Sequence, residues 1–124
     1  VITASNMAFG TYTGIVLNGT AILSVTCTNT TPYTVGLNPG LGTGPVATVT
    51  TRHMMVAGAG ALNYALYQDP ARATNWGNTP NTDTPASANG TGSAVAITVY
   101  GQVPAGQYVT PGAYTDTITA TVNF

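Results

Sequence analysis

Residues 113–124 show the most regular hydrophobic pattern in the chain. Apolar and polar positions alternate along this segment, and only Asp116 interrupts the apolar series. The apolar positions are Tyr114, Ile118, Ala120, Val122 and Phe124. Because successive side chains of a strand point to opposite faces of a sheet, this period of two predicts a strand with one buried face. Such a strand needs a backbone partner, and the sequence offers no hairpin partner after it.

Shorter alternating segments fill most of the remaining chain, and turn-forming residues such as Asn18-Gly19 and Pro111-Gly112 separate them. The predicted strands cover residues 2–9, 20–29, 33–38, 48–56, 62–68, 94–103 and 113–124. Many short strands with almost no helix signal predict an antiparallel β-sandwich. The stretch 69–92 is longer than most sandwich connections, and we expect it to cross between the two sheets.

The composition is typical of an extracellular β-protein that works inside an assembly. The 124 residues, 44% of them hydrophobic, suffice for the core of one domain spanning 1–124. Only 4% are charged, without Lys or Glu, and the net charge of −1 argues against a nucleic-acid partner. So few charges leave sheet edges open to association. No segment approaches the roughly 20 apolar residues that a membrane span needs.

The sequence gives little support for catalysis. His53 is the only histidine, and the three aspartates are scattered along the chain. No spacing matches a zinc, calcium or phosphate-binding motif. We therefore predict that the protein is not an enzyme and needs no cofactor. Arg52 and Arg72 are expected to pair with aspartates.

Three features each have two interpretations. Trp76 could stack on a sugar or anchor the core, and we favour the anchor because the chain has one Trp. Met54, Met55 and Val56 could form a hydrophobic contact surface, although a buried strand end explains them as well. Cys27, the single cysteine, is either a free buried thiol or half of a disulfide whose partner lies outside this sequence.

A series of short motifs covers nearly the whole chain in a specific order. The motifs are AFGTY at 8–12, SVTCT at 24–28, YTVGL at 33–37, RHM at 52–54, LNYALY at 62–67, WG at 76–77, YGQVPAGQ at 100–107 and PGAYTDTIT at 111–119. This order closely resembles the spore coat protein U domain, the pilin fold of archaic (Csu-type) chaperone–usher pili. The resemblance implies an incomplete immunoglobulin-like sandwich that lacks its final strand. A strand from another subunit completes such a fold by donor-strand complementation.

The resemblance also implies roles for particular residues. The strand carrying Tyr114, Ile118, Ala120, Val122 and Phe124 matches the family strand that lines one side of the donor groove. Cys27 matches a cysteine that bonds to a partner upstream of Val1, which makes the disulfide the favoured interpretation. The N-terminal donor segment is likewise expected upstream of Val1.

The leading functional hypothesis is a structural pilin that polymerises into an extracellular adhesive pilus for surface attachment and biofilm formation. Its expected partners are neighbouring copies of itself, a periplasmic chaperone and an outer-membrane usher. One alternative is the receptor- or surface-binding domain of a tip adhesin, with residues 41–46 or 54–61 as the contact loop. Another is a spore or cell coat protein that forms no fibre. The C-terminal strand fits all three hypotheses.

Overall fold

Alternating apolar and polar residues form strands in most of the predicted places. A computed structural model describes residues 1–42, 47–56 and 60–124. Its strands are β1 (Ile2–Ala4), β2 (Leu17–Thr26), β3 (Pro32–Leu37), β4 (Arg52–Met54), β5 (Leu62–Tyr67), β6 (Ala88–Asn89), β7 (Ala94–Val103) and β8 (Ala120–Asn123). No helix occurs within these residues, which confirms the all-β prediction. The described chain accordingly has no helix of the length and hydropathy that a bilayer crossing requires.

The strands form two sheets, and each strand pairing is antiparallel. The larger sheet has the order β1-β2-β7-β5-β4, and the smaller one has the order β6-β3-β8. The ladder between β2 and β7 is the longest, running from Leu17 opposite Val103 to Thr26 opposite Ala94. Alternate side chains of these strands are buried in one core that both sheets share. The predicted sandwich is therefore confirmed.

The long connection between β5 and β7 crosses from the larger sheet to the smaller one and returns, as expected. It also contains β6, which the sequence did not predict. Trp76 lies on this connection, is fully buried, and donates its indole N–H to the Val35 carbonyl at 2.8 Å. The structure therefore supports the core anchor over the sugar-stacking surface.

Both arginines bind main-chain carbonyls, and the expected pairing with aspartates is wrong. The fully buried Arg52 guanidinium donates at 2.8–3.0 Å to the carbonyl oxygens of Leu37, Asn38, Val49 and Trp76. These acceptors satisfy its N–H groups. Without them, burial of unpaired donors would cost free energy. The bonds tie β3, β4 and the crossing connection together.

Arg72 also donates to carbonyl groups, those of Gly19, Pro70 and Gly101. Its guanidinium carbon lies 5.7 Å from the ring centre of Tyr100, within the range of a cation–π interaction. The side chain is only partly buried, so water can reach part of it.

The first and last strands are much shorter than the alternation predicts. β1 ends at Ala4 instead of residue 9, and β8 begins at Ala120 instead of residue 113. The alternation of burial nevertheless continues through residues 113–119, where Tyr114 is buried and Thr115 is exposed. The side chains therefore follow the predicted pattern, although the backbone pairs only at the bridge between Met55 and Thr115 and at Thr119, whose carbonyl accepts from the Asn38 N–H at 3.1 Å. These two shortened segments flank the same groove.

Candidate functional site: an apolar groove between two sheet edges

An apolar groove of about 690 Å³ opens between the two ends of the chain. Residues 4–11 form its N-terminal wall and residues 113–120 its C-terminal wall. The floor consists of side chains from both sheets, namely Leu17, Ala21, Leu23, Leu37, Met54, Leu62, Tyr64, Leu66, Val99 and Val103. The N-terminal wall continues from β1, and the C-terminal wall leads into β8. The groove thus lies beside one edge strand of each sheet.

Both walls carry backbone groups that lack a main-chain partner. The ladder between β1 and β2 ends at Ser5, whose N–H donates to the Ile22 carbonyl at 2.9 Å. Beyond it, no main-chain hydrogen bond involves residues 6–11 within the described part of the chain. On the other wall, β8 pairs with β3, and no second strand among the described residues pairs with its opposite edge. Free edges of this kind can accept an extended peptide.

Two side chains of the N-terminal wall, Met7 and Phe9, pack on a pair of glycines. Gly19 of β2 and Gly101 of β7 lie opposite each other in the ladder. A Cβ atom on Gly101 would lie 2.7 Å from Phe9 Cζ and closer still to Met7 Sδ. Since neither glycine has a positive φ, space and not backbone conformation requires glycine here. The Phe9 ring also lies 6.2 Å, centre to centre, from the Tyr64 ring.

Asp116 anchors the C-terminal wall to the floor. Its carboxylate accepts hydrogen bonds from the N–H of Leu41 at 2.8 Å, the N–H of Thr117 at 2.7 Å and the hydroxyl of Tyr64 at 2.5 Å. Burial, followed by this hydrogen bond and the Asp116 charge, raises the pKa of Tyr64 far above its ordinary value. Tyr64 therefore stays protonated and remains a donor to Asp116. The residue that interrupts the apolar series is a structural anchor.

The residues that the resemblance assigns to the groove occupy three different environments. Tyr114, Ile118 and Ala120 line the groove. Val122 lies farther along β8 and is partly buried against the core. Phe124 is 83% exposed and lies outside the groove, next to Pro32 and Tyr33.

The sequence interpretation did not assign the N-terminal wall to the groove. The available signal was the apolar pair Met7 and Phe9, which alternates with polar and small residues at the end of the predicted strand 2–9. The pattern indicated a strand, but it could not show that this segment leaves β2 and faces residues 113–120.

The apolar stretch at β4 is buried in the structure. Met54 is buried on the groove floor, while Met55 pairs with Thr115 through two main-chain hydrogen bonds of 2.8 and 2.9 Å. Val56 is partly buried against the core. These placements favour the buried strand end over a contact surface. Residues 43–46 and 57–59 of the two candidate contact loops lie outside the described residues.

Cys27 is a free thiol in the core, with 6% of its surface exposed. The chain has one cysteine, and the disulfide expected from the resemblance is not supported. His53 is also buried, with Nδ1 2.6 Å from the side-chain oxygen of Asn63. Across the described ranges, no group of three metal-ligating side chains comes together.

The fold is similar to that of a solved pilus protein. One chain of the CsuC–CsuE chaperone–tip adhesion subunit pre-assembly complex, from the archaic chaperone–usher Csu pili of Acinetobacter baumannii, superposes with a TM-score of 0.68. The match covers all of this chain and 40% of that chain, at 20% sequence identity. This chain therefore has the incomplete immunoglobulin-like sandwich fold of a Csu-type pilin domain.

Sequence comparison defines the family. The profile of the Spore Coat Protein U domain matches residues 1–121. Protein U of Myxococcus xanthus is 41% identical over 127 aligned positions, which cover 94% of this chain and 70% of that protein. The chain belongs to the spore coat protein U domain family.

Proposed function

We propose that this chain is a pilus-type structural subunit whose groove accepts an extended strand from another polypeptide. The observation that carries the proposal is the apolar groove between the edges of the two sheets, with unpaired backbone on both walls. Membership of the spore coat protein U domain family supports it. The similar fold found in a complex of a chaperone with a pilus subunit also supports it. The role is structural and not enzymatic.

The groove has the two features that donor-strand complementation needs. An incoming strand can pair its main chain with the free edges of the N-terminal and C-terminal walls, which gives affinity without demanding one sequence. Its alternate side chains can pack on the apolar floor, and this packing fixes the register because a slip of one residue would turn them outward. Tyr114, Ile118 and Ala120 supply the C-terminal part of this surface, whereas Val122 supports it from the core.

Assembly into a filament follows if each copy also donates a strand. In that case residues 1–124 form one pilin domain, and a donor segment upstream of Val1 fills the groove of a neighbouring copy. Such a head-to-tail contact does not close on itself and therefore produces a fibre. The proposal includes a periplasmic chaperone and an outer-membrane usher as assembly partners, and an extracellular pilus that serves attachment and biofilm formation.

A matched pair of substitutions on the C-terminal wall tests the proposal. The probe is an extended synthetic peptide that alternates Val and Thr. Wild-type protein is expected to unfold at a higher temperature with peptide, because at about 100 times the dissociation constant the stabilisation is about 2.7 kcal/mol. Ile118→Asp should lose this response, since the charge would be buried without a partner. Thr119→Asp should keep it, because Thr119 is exposed beside the groove.

Thermal unfolding monitored by circular dichroism at increasing peptide concentration gives the answer. If peptide does not change the melting temperature of wild-type protein, the proposed function is contradicted. An equal response from wild type and Ile118→Asp would mean that the strand binds elsewhere.

A second candidate, the binding domain of a tip adhesin, is favoured by the similarity in fold to a chain of a chaperone–tip adhesion subunit complex. Both candidates accept a strand in the groove, but only the fibre pilin donates one. Sequencing the gene upstream of Val1 distinguishes them. An alternating apolar segment there supports the fibre pilin, and its absence supports the tip domain or a coat protein without a fibre.

A further inference from the structure

We propose that a small cavity on the outer side of the smaller sheet binds one neutral saccharide unit. The cavity has a volume of about 180 Å³ and lies where β3 and the end of β8 meet the turn at residues 79–84. None of the residues that line it also lines the apolar groove between the two walls. This inference is therefore independent of the strand that the groove is proposed to accept.

Three polar side chains stand side by side in this cavity. Thr34 and Asn123 lie opposite each other in the ladder between β3 and β8, so their side chains share one face of the sheet. Ser87 precedes β6, and the register that pairs Tyr33 with Ala88 places Ser87 next to Thr34. Since Tyr33 belongs to the core, the neighbouring Thr34 points to the opposite face, where the cavity lies.

The hydroxyl of Thr34 is the observation that points to a ligand. Only 6% of the Thr34 surface is exposed, yet its hydroxyl has no hydrogen-bond partner within the described residues. Throughout that part of the chain, every fully buried side-chain nitrogen or oxygen has a partner. The Thr34 hydroxyl therefore keeps some accessible surface, and it lines the cavity. A ligand hydroxyl there would satisfy a polar group that burial otherwise leaves unpaired.

The remaining polar side chains of the cavity are also available to a ligand. Those of Asn81, Ser87 and Asn123 make no hydrogen bond to other described residues, whereas the amides of Asn38 and Gln68 are bonded to main-chain groups. Amides and hydroxyls both donate and accept, which matches the hydroxyl groups of a sugar. No charged side chain is among the described residues that line the cavity, so the fitting ligand is neutral.

Apolar surfaces complete the cavity, and its size limits the ligand. Pro32, Pro80 and Phe124 line it together with the polar groups, and Phe124 is 83% exposed. The C–H face of a sugar ring can pack on such flat apolar side chains while its hydroxyls reach the amides. Sites for drug-sized ligands measure about 300–1,000 Å³, so this smaller cavity fits a single ring.

The turn that carries Asn81 holds its amide in a fixed position. Asn81 has a φ of 60°, in the left-handed region that asparagine adopts more readily than most residues. Its N–H donates to the Thr84 hydroxyl at 3.1 Å, and the Asp83 carboxylate accepts from the Thr79 N–H at 2.8 Å. A site that is already ordered loses less entropy when a ligand binds.

NMR titration of the chain with methyl glycosides tests the inference. The probes are both anomers of methyl glucoside, galactoside, mannoside and N-acetylglucosaminide. At least one should shift the amide signals of Thr34, Asn81 and Asn123, with a dissociation constant of about 1–10 mM for a ligand of this size. Thr34→Val keeps the shape of the side chain and should raise this constant about three- to tenfold. Thr98→Val, on β7 of the other sheet, is the matched control and should bind as wild type.

Stability measurements separate a binding role of Thr34 from a structural one. The free energy of unfolding of Thr34→Val in urea should not fall below that of wild type, because its hydroxyl bonds to no described residue. A second variant, Asn81→Gly, removes the amide and keeps the positive φ accessible, and it should weaken binding in the same range. Loss of stability in Thr34→Val with unchanged binding would show a structural role and overturn the inference.

Tetrasaccharides distinguish the two sources of such a sugar. Tighter binding of maltotetraose, mannotetraose or chitotetraose than of the matching methyl glycoside supports a site for polysaccharide chains. Equal binding supports a site for a terminal sugar, such as one on a glycosylated protein. The inference is overturned if no glycoside shifts the amide signals of the cavity, or if Thr34→Val and Asn81→Gly both bind as wild type does. The peptide that alternates Val and Thr should leave sugar binding unchanged, because groove and cavity share no residue.

Discussion

At the scale of single residues, the few polar side chains inside the protein organise its core. Arg52 satisfies four carbonyl groups from three parts of the chain, and Asp116 accepts three hydrogen bonds that join the C-terminal wall to Tyr64 and Leu41. Burial lowers the pKa of Arg52, while the negative charges of Asp116 and Asp83 act in the opposite direction. Arg52, one of the two arginines of the chain, therefore holds several segments of the core together.

Replacing Arg52 by Met should therefore cost much of the stability. The carbonyl acceptors would lose their donors inside the core, at about 1–3 kcal/mol for each buried group left unsatisfied. We expect the free energy of unfolding in urea to fall by at least about 3 kcal/mol. Arg72→Met is the matched control, since Arg72 also binds carbonyl groups but is partly exposed, and water can replace it. Equal losses in the two variants would contradict the role assigned to Arg52.

The sequence could indicate that Arg52 was unusual but not what it binds. Its rarity among so few charges suggested a partner of opposite charge, because an aspartate can be recognised by residue type. Main-chain carbonyls belong to every residue and leave no such signature. The buried position of Trp76 could be predicted, because the residue type alone indicates it: a single large aromatic side chain is most often buried.

At the scale of strands and segments, the two walls of the groove keep their alternating pattern without a complete ladder. Alternation records which side chains are buried, and it is present in residues 2–9 and 113–124. A continuous hydrogen-bonded ladder requires a neighbouring strand, and within these two segments such ladders cover Ile2–Ala4 and Ala120–Asn123. The sequence therefore predicted both walls as strands, whereas their backbone pairing depends on what lies beside them. The two-residue strand β6 is too short to leave any periodic signal.

Gly101→Ala tests whether the N-terminal wall packs on β7 as described. The added methyl group would meet Met7 and Phe9, and overpacking of this kind typically costs about 1–3 kcal/mol. Denaturant unfolding should show that loss, and Met7→Ala in the same chain should restore part of it. Gly60→Ala is the control, because a Cβ atom there meets nothing within 4 Å. If the changes that Met7→Ala and Gly101→Ala cause in the free energy of unfolding simply add up in the double variant, the two residues are not in contact.

At the scale of the whole molecule, the two sheets enclose one core but leave a groove between the first and last segments of the chain. The resemblance correctly indicated the incomplete sandwich and the family, because the ordered motifs span almost the entire sequence. It assigned one wall of the groove and not the other. The position of the N-terminal wall depends on long-range packing over Gly19 and Gly101, which no local pattern reveals. We propose that an added strand buries this groove.

Amide hydrogen exchange with and without the Val–Thr peptide tests that central claim most directly. If the strand pairs with both walls, amides in residues 6–11 and those of Asp116, Ile118 and Ala120 should become protected together when peptide is added. The edge at β6 lies away from the groove in strand order and should exchange as before. Protection at β6, or at one wall alone, would contradict the account.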